Sequence, residues 1–321
     1  MSESQFYYQG FITAIQNKIP NRANLANKIT ELLDIDKDAV YRRLRGEVNF
    51  TFIEIAAIAT SLGLSLDNIV ASVFLEHRPV QITLSKHVNP TEVDYRMFNN
   101  FVNLLGSVKD NPDTLLLEAN NTLPYSIYYD YECFTRFHMF SWALGNTDGI
   151  DIPFHQITIP EPMRALQKKV CEYTRHIKTT QYIWDRMIFQ SIIHNISFFV
   201  RLRLIREEDV PMIKKELFEI INDIEQLAVR GSHEDTGNKV SFYISDILFE
   251  TNYSTLKGQN MYLTLFKTFL LNANSTLDED VYHNTSQWIL ALQRKATLIS
   301  VSGEKIRAEF FNTQRKIIDS L

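Results

Sequence analysis

Residues 21–70, NRANLANKITELLDIDKDAVYRRLRGEVNFTFIEIAAIATSLGLSLDNIV, decide how this chain is read. Leu25, Ala26, Ile29 and the pair Leu32/Leu33 recur at helical spacing and give a first helix one apolar face. Asp36 stands where a carboxylate would cap the next helix, which residues 37–44 fill for about two turns. Val40 and Leu44, four apart, face inward with Tyr41 beside them, which leaves Lys37, Asp38, Arg42 and Arg45 outward. Gly46 closes that helix, because glycine takes a left-handed cap without steric cost. A second amphipathic helix follows, with Phe52, Ile55, Ala56, Ile58, Ala59 and Leu62 as its expected buried face. Gly63 stops it, and Ser65 is placed to cap a last short turn, SLDNIV.

Short helices joined by tight polar turns, with YRRLRGE in the middle, resemble the phage-repressor-like helix-turn-helix superfamily (Xre and its BetR-type relatives). The matching segments are LANKI for the first helix of the pair, DKDAVYRRLRGE for the recognition helix, and IAAIATSLGLSLDNIV for the closing helices. The likeness covers about the first 75 residues. One departure stands out: the usual short glycine turn is replaced by a longer TELLDID. The resemblance implies double-stranded operator DNA as partner, read by a dimer whose recognition helices reach major grooves about 34 Å apart. On that footing Lys37, Asp38, Arg42 and Arg45, with Tyr41 on the same helix, are the base-edge or phosphate candidates. Arg42 is first choice for a bidentate guanine contact, and Arg22, Lys28 and Arg43 for phosphates.

Charge supports a local rather than global nucleic-acid surface. The chain has 33 Lys and Arg against 38 Asp and Glu, a formal net charge of -5. Between Lys18 and Arg45, however, Lys18, Arg22, Lys28, Lys37, Arg42, Arg43 and Arg45 outnumber Glu31, Asp34, Asp36 and Asp38. A positive patch on an acidic protein suits neutralisation of a few phosphates. A chain of 321 residues can bury a large core and divides naturally into a small head and a larger body. No apolar run reaches the roughly 18 residues of a membrane span, so no membrane partner is expected. MSESQFYYQGF lacks a basic segment leading into an apolar one and does not read as a secretory leader. Cys133 and Cys171 are too few for a disulfide framework and lack zinc spacing, as expected of a cytoplasmic protein. No metal or cofactor is called for.

The expected architecture is mainly α. A helix-turn-helix domain of about five helices spans residues 1–76, and residues 77–90 (with Pro79 and alternating Val80, Ile82, Leu84) form a linker or short strand. Residues 91–321 form an α+β body for dimerisation and sensing, with several long helices and a small antiparallel sheet. A helix is expected over 92–107, a compact helix or strand over 114–119, and helices over 163–177, 180–205 and 210–229. KVSFYISDILFE and MYLTLFKTFLLN alternate at strand spacing, Met261, Leu263, Leu265 and Lys267 on one side, and the chain closes with helices from Leu277 and from Glu304. The helices of 163–229 have broad apolar faces and are the expected dimer surface. Between Tyr125 and Trp142, YSIYYDYECFTRFHMFSW carries eight aromatic residues in eighteen. Such a cluster is either an aromatic core or the wall of a small-molecule pocket, with Tyr125, Tyr128, Tyr131, Phe137 and Trp142 as candidate ligand contacts.

No catalytic signature appears: there is no GxSxG, no HExxH and no phosphate-cradling glycine loop. The expected function is therefore a non-enzymatic, dimeric DNA-binding transcriptional regulator, its body open to a small-molecule or peptide effector. The alternative is a peptide-sensing regulator or partner-binding module with a helical groove in the body. The late strands and the lack of a 34-residue repeat weigh against that alternative.

Overall fold

The computed structural model describes residues 3–64, 66, 69–70, 92–146, 152–259, 261–268 and 272–321. The chain divides into two compact units, residues 1–81 and 82–321. In the first unit α1 spans Glu3–Lys18, α2 Arg22–Leu33, α3 Lys37–Leu44 and α4 Phe52–Leu62, and Leu66, Ile69 and Val70 are helical as well. Phe11, Ile12 and Ile15 of α1 meet Leu25, Ala26 and Ile29 of α2, Val40 and Leu44 of α3, and Ile58 of α4 in one core. Asn21 caps α2, its side chain accepting from the amides of Ala23 and Asn24 at 3.0 and 3.1 Å. Helix α2 continues through TELL, so the connection to α3 is only Asp34, Ile35 and Asp36. Asp34 takes the left-handed conformation (φ 52°) that glycine would otherwise supply. The departure seen in TELLDID is thus one of residue type at the turn. Asp36 occupies the cap position of α3 without a side-chain cap bond, contrary to expectation.

Helix α4 begins with a capping box. Thr51 Oγ1 accepts from the Glu54 amide at 3.3 Å and Glu54 Oε2 from the Thr51 amide at 2.7 Å. Its buried residues are Ile58 and Ala59; Phe52, expected inward, is 77% exposed, and Ile53 is 80% exposed. The first turn of α4 extends past the core, so helical spacing alone misplaces Phe52. The Ser65 cap and the linker at 77–90 lie outside the described residues.

The body is built on a mixed sheet that, among the described residues, has seven strands in the order β6-β5-β4-β1-β2-β3-β7. These are β1 Leu115–Asn120, β2 Thr179–Asp185, β3 Lys239–Ser245, β4 Tyr253–Gly258, β5 Met261–Thr268, β6 Asn272–Thr276 and β7 Thr297–Leu298. Strands β1, β2 and β3 are parallel neighbours, whereas β4, β5 and β6 form an antiparallel meander on the free edge of β1. The helices are α5 Glu92–Val108, α6 Tyr125–Tyr128, α7 Glu132–Asn146, α8 Glu161–Arg175, α9 Gln190–Arg201, α10 Val210–Arg230, α11 Glu279–Gln293 and α12 Glu304–Asp319. On one face, Leu116 of β1 packs with α5 and α8, while Tyr182, Trp184 and Phe242 pack with α7, α9, α10 and α12. On the other face Leu117, Ala119 and Ile183 meet Ile289 and Leu292 of α11. A mainly helical protein with an α and β body is therefore observed, but the sheet is neither small nor purely antiparallel.

Residues 180–205 are the largest correction. They are not one helix: residues 179–185 form the interior strand β2, and α9 starts only at Gln190. A parallel strand covered on both faces does not alternate, and Ile183, Met187 and Ile188 happen to fall at helical intervals. KVSFYIS is likewise a strand, but it runs parallel to β2 and antiparallel only to the short β7. The apolar faces of α9 and α10, expected at a dimer surface, are buried inside the body through Ile192, Ile196, Ile213, Leu217, Ile220 and Ile224. Trp288 of α11 and Ile306 of α12 are 41% and 40% exposed. Gly258 marks a close approach, since a Cβ there would lie 2.5 Å from Val108 Cγ1.

Tyr8 ties the first unit together. Its hydroxyl accepts from the Phe50 amide at 3.1 Å and lies 2.9 Å from the Arg43 carbonyl oxygen, to which it donates. Tyr8→Phe leaves that amide without its acceptor, so hydrogen exchange at Phe50 should accelerate, with a stability loss of about 1–2 kcal/mol. Unchanged exchange at Phe50 would show that this bond does not hold the turn.

Candidate functional site

The outward face of α3 is polar along its length. Val40 and Leu44 are buried, whereas Lys37, Asp38, Arg42 and Arg45 are exposed, as are Arg22 and Lys28 on α2. Glu47 sits between two of the cations: its carboxylate lies 3.5 Å from Arg42 Nε and 2.6 Å from Arg45 Nε. The Arg45 hydrogen bond, more than the Arg42 charge, holds the Glu47 carboxyl below the usual range. The Arg22 guanidinium stands over the half-buried Tyr41 ring, 5.9 Å from its centre.

Arg43 differs from its neighbours. It turns inward, pairs with Glu54 at 3.1 Å, and lies 5.8 Å from the Phe50 ring centre. The same Glu54 closes the capping box of α4, so Arg43 joins α3 to α4 and is not on the surface with Arg42 and Arg45. The helix-turn-helix resemblance implies a phosphate contact for Arg43; here its guanidinium is engaged with Glu54 and joins α3 to α4.

In the aromatic segment the candidate ligand contacts separate. Phe137 is core, stacked on Phe134 at 5.9 Å. Tyr131 donates its hydroxyl to Asp223 at the rim of α10. The Trp142 side chain lies outside the described residues. Tyr125 and Tyr128, joined by Tyr129, line a cavity of about 30 Å³ with Leu123, Pro124 and Leu265. The remaining lining residues are polar: Glu118 and Asn120 of β1, Ser254 of β4, and Asn252 and Lys267.

These polar residues escaped the sequence reading, although the signal was present. Glu118 is the only charged residue in LLLEAN, and Lys267 continues the inward series Met261, Leu263, Leu265. A charge at an inward strand position is rare unless it is paired or functional. Glu118 is 2% exposed and Asn120 0%. Glu118 Oε1 accepts from the Ser254 hydroxyl at 2.9 Å, while Oε2 and both polar atoms of the Asn120 side chain lack a partner. Burial raises the Glu118 pKa to about 7, opposed by the Ser254 hydroxyl and by Asn120, which is near the carboxyl without hydrogen-bond geometry. Lys267 Nζ donates to Thr122 Oγ1 at 2.7 Å, and burial lowers its pKa to about 8. Asn252 fixes the rim, accepting from the amides of Asn121 and Thr122 at 2.9 and 3.1 Å.

Among the described residues no cluster of His, Cys, Asp and Glu is arranged to hold a metal, and no helix is long and apolar enough to cross a membrane. Comparison with protein-family models, with curated proteins and with solved structures finds no match to this chain.

The raised Glu118 pKa has a thermodynamic consequence. Between its unfolded value near 4.5 and its folded value near 7, the folded state holds a proton that the unfolded state has released. This group's contribution is therefore most favourable below pH 4.5, falls as pH rises to 7, and is constant above. The loss is on the order of 3 kcal/mol. Urea unfolding of Glu118→Gln should lack this component, so the stability difference from wild type should change across that window. A pH-independent difference would contradict a buried, late-ionising carboxyl.

Proposed function

We propose that the chain is a DNA-binding transcriptional regulator of the helix-turn-helix type, acting in the cytoplasm as a homodimer. The observation that carries this reading is α3: its inward face is buried and its outward face offers Lys37, Arg42 and Arg45 to solvent. The three-residue connection from α2, with Asp34 in the glycine-like conformation, supports the same reading, because it makes α2 and α3 a tight helical pair. Arg42 contacts a guanine edge, Lys37 and Arg45 contact bases or phosphates, and Arg22 and Lys28 contact phosphates. Arg43 acts through α4 by holding the pair in register. The body supplies the second copy and the effector response, and binding rather than catalysis is its role.

Fluorescence anisotropy with the upstream region of its own gene, titrated in salt against random duplex, tests the reading. Arg42→Ala should weaken specific binding by about 1–3 kcal/mol and relax preference at one position. Arg43→Ala should lower the stability of the first unit more than it lowers the salt slope of binding. Glu47→Gln releases both arginines and should tighten binding at low salt, with the gain fading as salt screens it. No preference over random duplex at low salt would refute DNA reading, and tighter binding by Arg42→Ala would refute the assignment of α3.

A further inference from the structure

The sheet face opposite the large cluster is thinly covered. Seven strands about 4.8 Å apart span roughly 29 Å, whereas a helix is only about 10 Å across. Among the described residues α11 is the one helix packed on that face, through Ile289 and Leu292. Its outward side is a stripe at helical spacing: Asp280, Asn284, Gln287, Ala291 and, just past the helix end, Lys295. All of these are exposed except the half-buried Ala291. Charge is divided along the stripe. Glu279 and Asp280 open the helix, Arg294 and Lys295 follow its end, and no Asp, Glu, Lys or Arg lies between them. Glu279 is met by His283 at 3.4 Å, while Arg294 and Lys295 make no ion pair among the described residues. On one flank Trp288 leans on Phe249 and Tyr253, ring centres 6.1 and 4.7 Å away, yet stays 41% exposed. Leu248, beside Phe249 in the chain, is 71% exposed. Leu298, in register with Tyr243 of the same face, is also exposed. A tryptophan among apolar neighbours, ringed by polar groups, has the composition of an interface centre.

We infer that two copies of the chain meet on this face, α11 against α11 of the partner in an antiparallel, two-fold pair. The divided charge selects that occupant. A two-fold axis between Gln287 and Trp288 sets Asp280 of one copy opposite Lys295 of the other, and repeats the pair by symmetry. A parallel pair would put like charges together at both ends. The same axis places Ala291 against Asn284, and the small alanine lets the helices approach closely. Trp288 of each copy then lies beside the axis, where an aromatic side chain contributes most. Helices α9 and α10 are buried within the body, so the contact falls on the other side of the sheet from the one their apolar faces suggest. The surface named here rests on the dimeric reading above; it is measured without DNA, so its failure leaves the Arg42 experiments untouched.

Sedimentation equilibrium of the full-length protein should show a monomer–dimer equilibrium. Asp280→Lys and Lys295→Glu should each raise the dimer dissociation constant about tenfold or more, because each reversal acts at two symmetric contacts. The double variant should recover most of that loss, which a folding defect in either single variant cannot mimic. Cysteine cross-linking reads the register. On this axis residue 284 stands opposite residue 291 of the other copy, while the two copies of residue 284 are about 10 Å apart along the helices, beyond disulfide reach. Mixing Asn284→Cys with Ala291→Cys should therefore give mixed disulfide dimers in excess of either like pair; the native Cys133 and Cys171 are buried and do not compete. A monomer at every concentration, which leaves the face to some other protein, would overturn the inference. So would a dimer that neither reversal weakens, a double variant that restores nothing, or like pairs at 284 as abundant as mixed ones.

Discussion

The body depends on β1 being paired along both edges. Leu116, Leu117, Glu118 and Ala119 face β2 in parallel register and β4 in antiparallel register, so the backbone of this strand is committed to the sheet on both sides. The parallel half grows from one edge through β2 and β3, each reached by helices that cover a single face. The antiparallel half grows from the other edge through β4, β5 and β6. Removing β1 would leave two smaller sheets, each with a newly exposed edge of unpaired amides and carbonyls. The residues that β1 turns inward therefore face helices from the parallel half and strands from the antiparallel half at once, and Glu118 and Asn120 sit at that junction.

A cavity at this junction follows from geometry. The parallel half is covered by α7, α9, α10 and α12, packed through Phe134, Phe137, Trp184 and Phe242. The edge toward β5 is covered by α5 and α8 through Val102, Leu105 and Val170. Between the two clusters the chain leaves β1 at Asn120, turns through Thr122 and Pro124, and enters the short helix α6. A four-residue helix cannot fill the gap with apolar side chains as a long one would. Tyrosine rings wall it, and the polar ends of β1 and β5 floor it. Tyr125 stacks on Tyr129 at 5.6 Å, and Tyr128 meets Tyr129 edge-on at 5.2 Å, so the wall is itself close-packed.

The sequence was legible where a pattern was local. The core of the first unit, the helices expected over 92–107 and 210–229 and the strand at 261–268 follow from periodicity in neighbouring residues. Strand β2 was not legible, because its identity comes from β1 and β3, some 65 residues before and 60 residues after it in register. Phe52 failed for a related reason: spacing tells which residues share a helix face, but not how far along the helix the core extends. Arg42 and Arg43 are neighbours in sequence but about 100° apart around the helix, so Arg43 reaches Glu54 while Arg42 stays exposed beside Glu47. Glu118 and Lys267 were visible as charges in apolar strands, but only the sheet order brings two such strands to one cavity.

On the proposed DNA-binding reading, the electrostatics of the first unit give a single copy only a weak hold on the duplex. The segment from Lys18 to Arg45 reads as seven cations against four anions, yet the two glutamates beyond it change that balance. Glu54 neutralises Arg43 in a mostly buried pair, and Glu47 is shared by Arg42 and Arg45 at the surface. What remains free to meet phosphates is smaller than the sequence count suggests, and the affinity of one copy falls accordingly. Exposed pairs such as Arg45–Glu47 are themselves worth little, so a phosphate or a base can displace the glutamate at small cost. On the reading proposed here, the arrangement discriminates against nonspecific duplex, because each arginine must exchange one anion for another. On the same proposal, two copies joined through the body recover by proximity the affinity that one copy gives up.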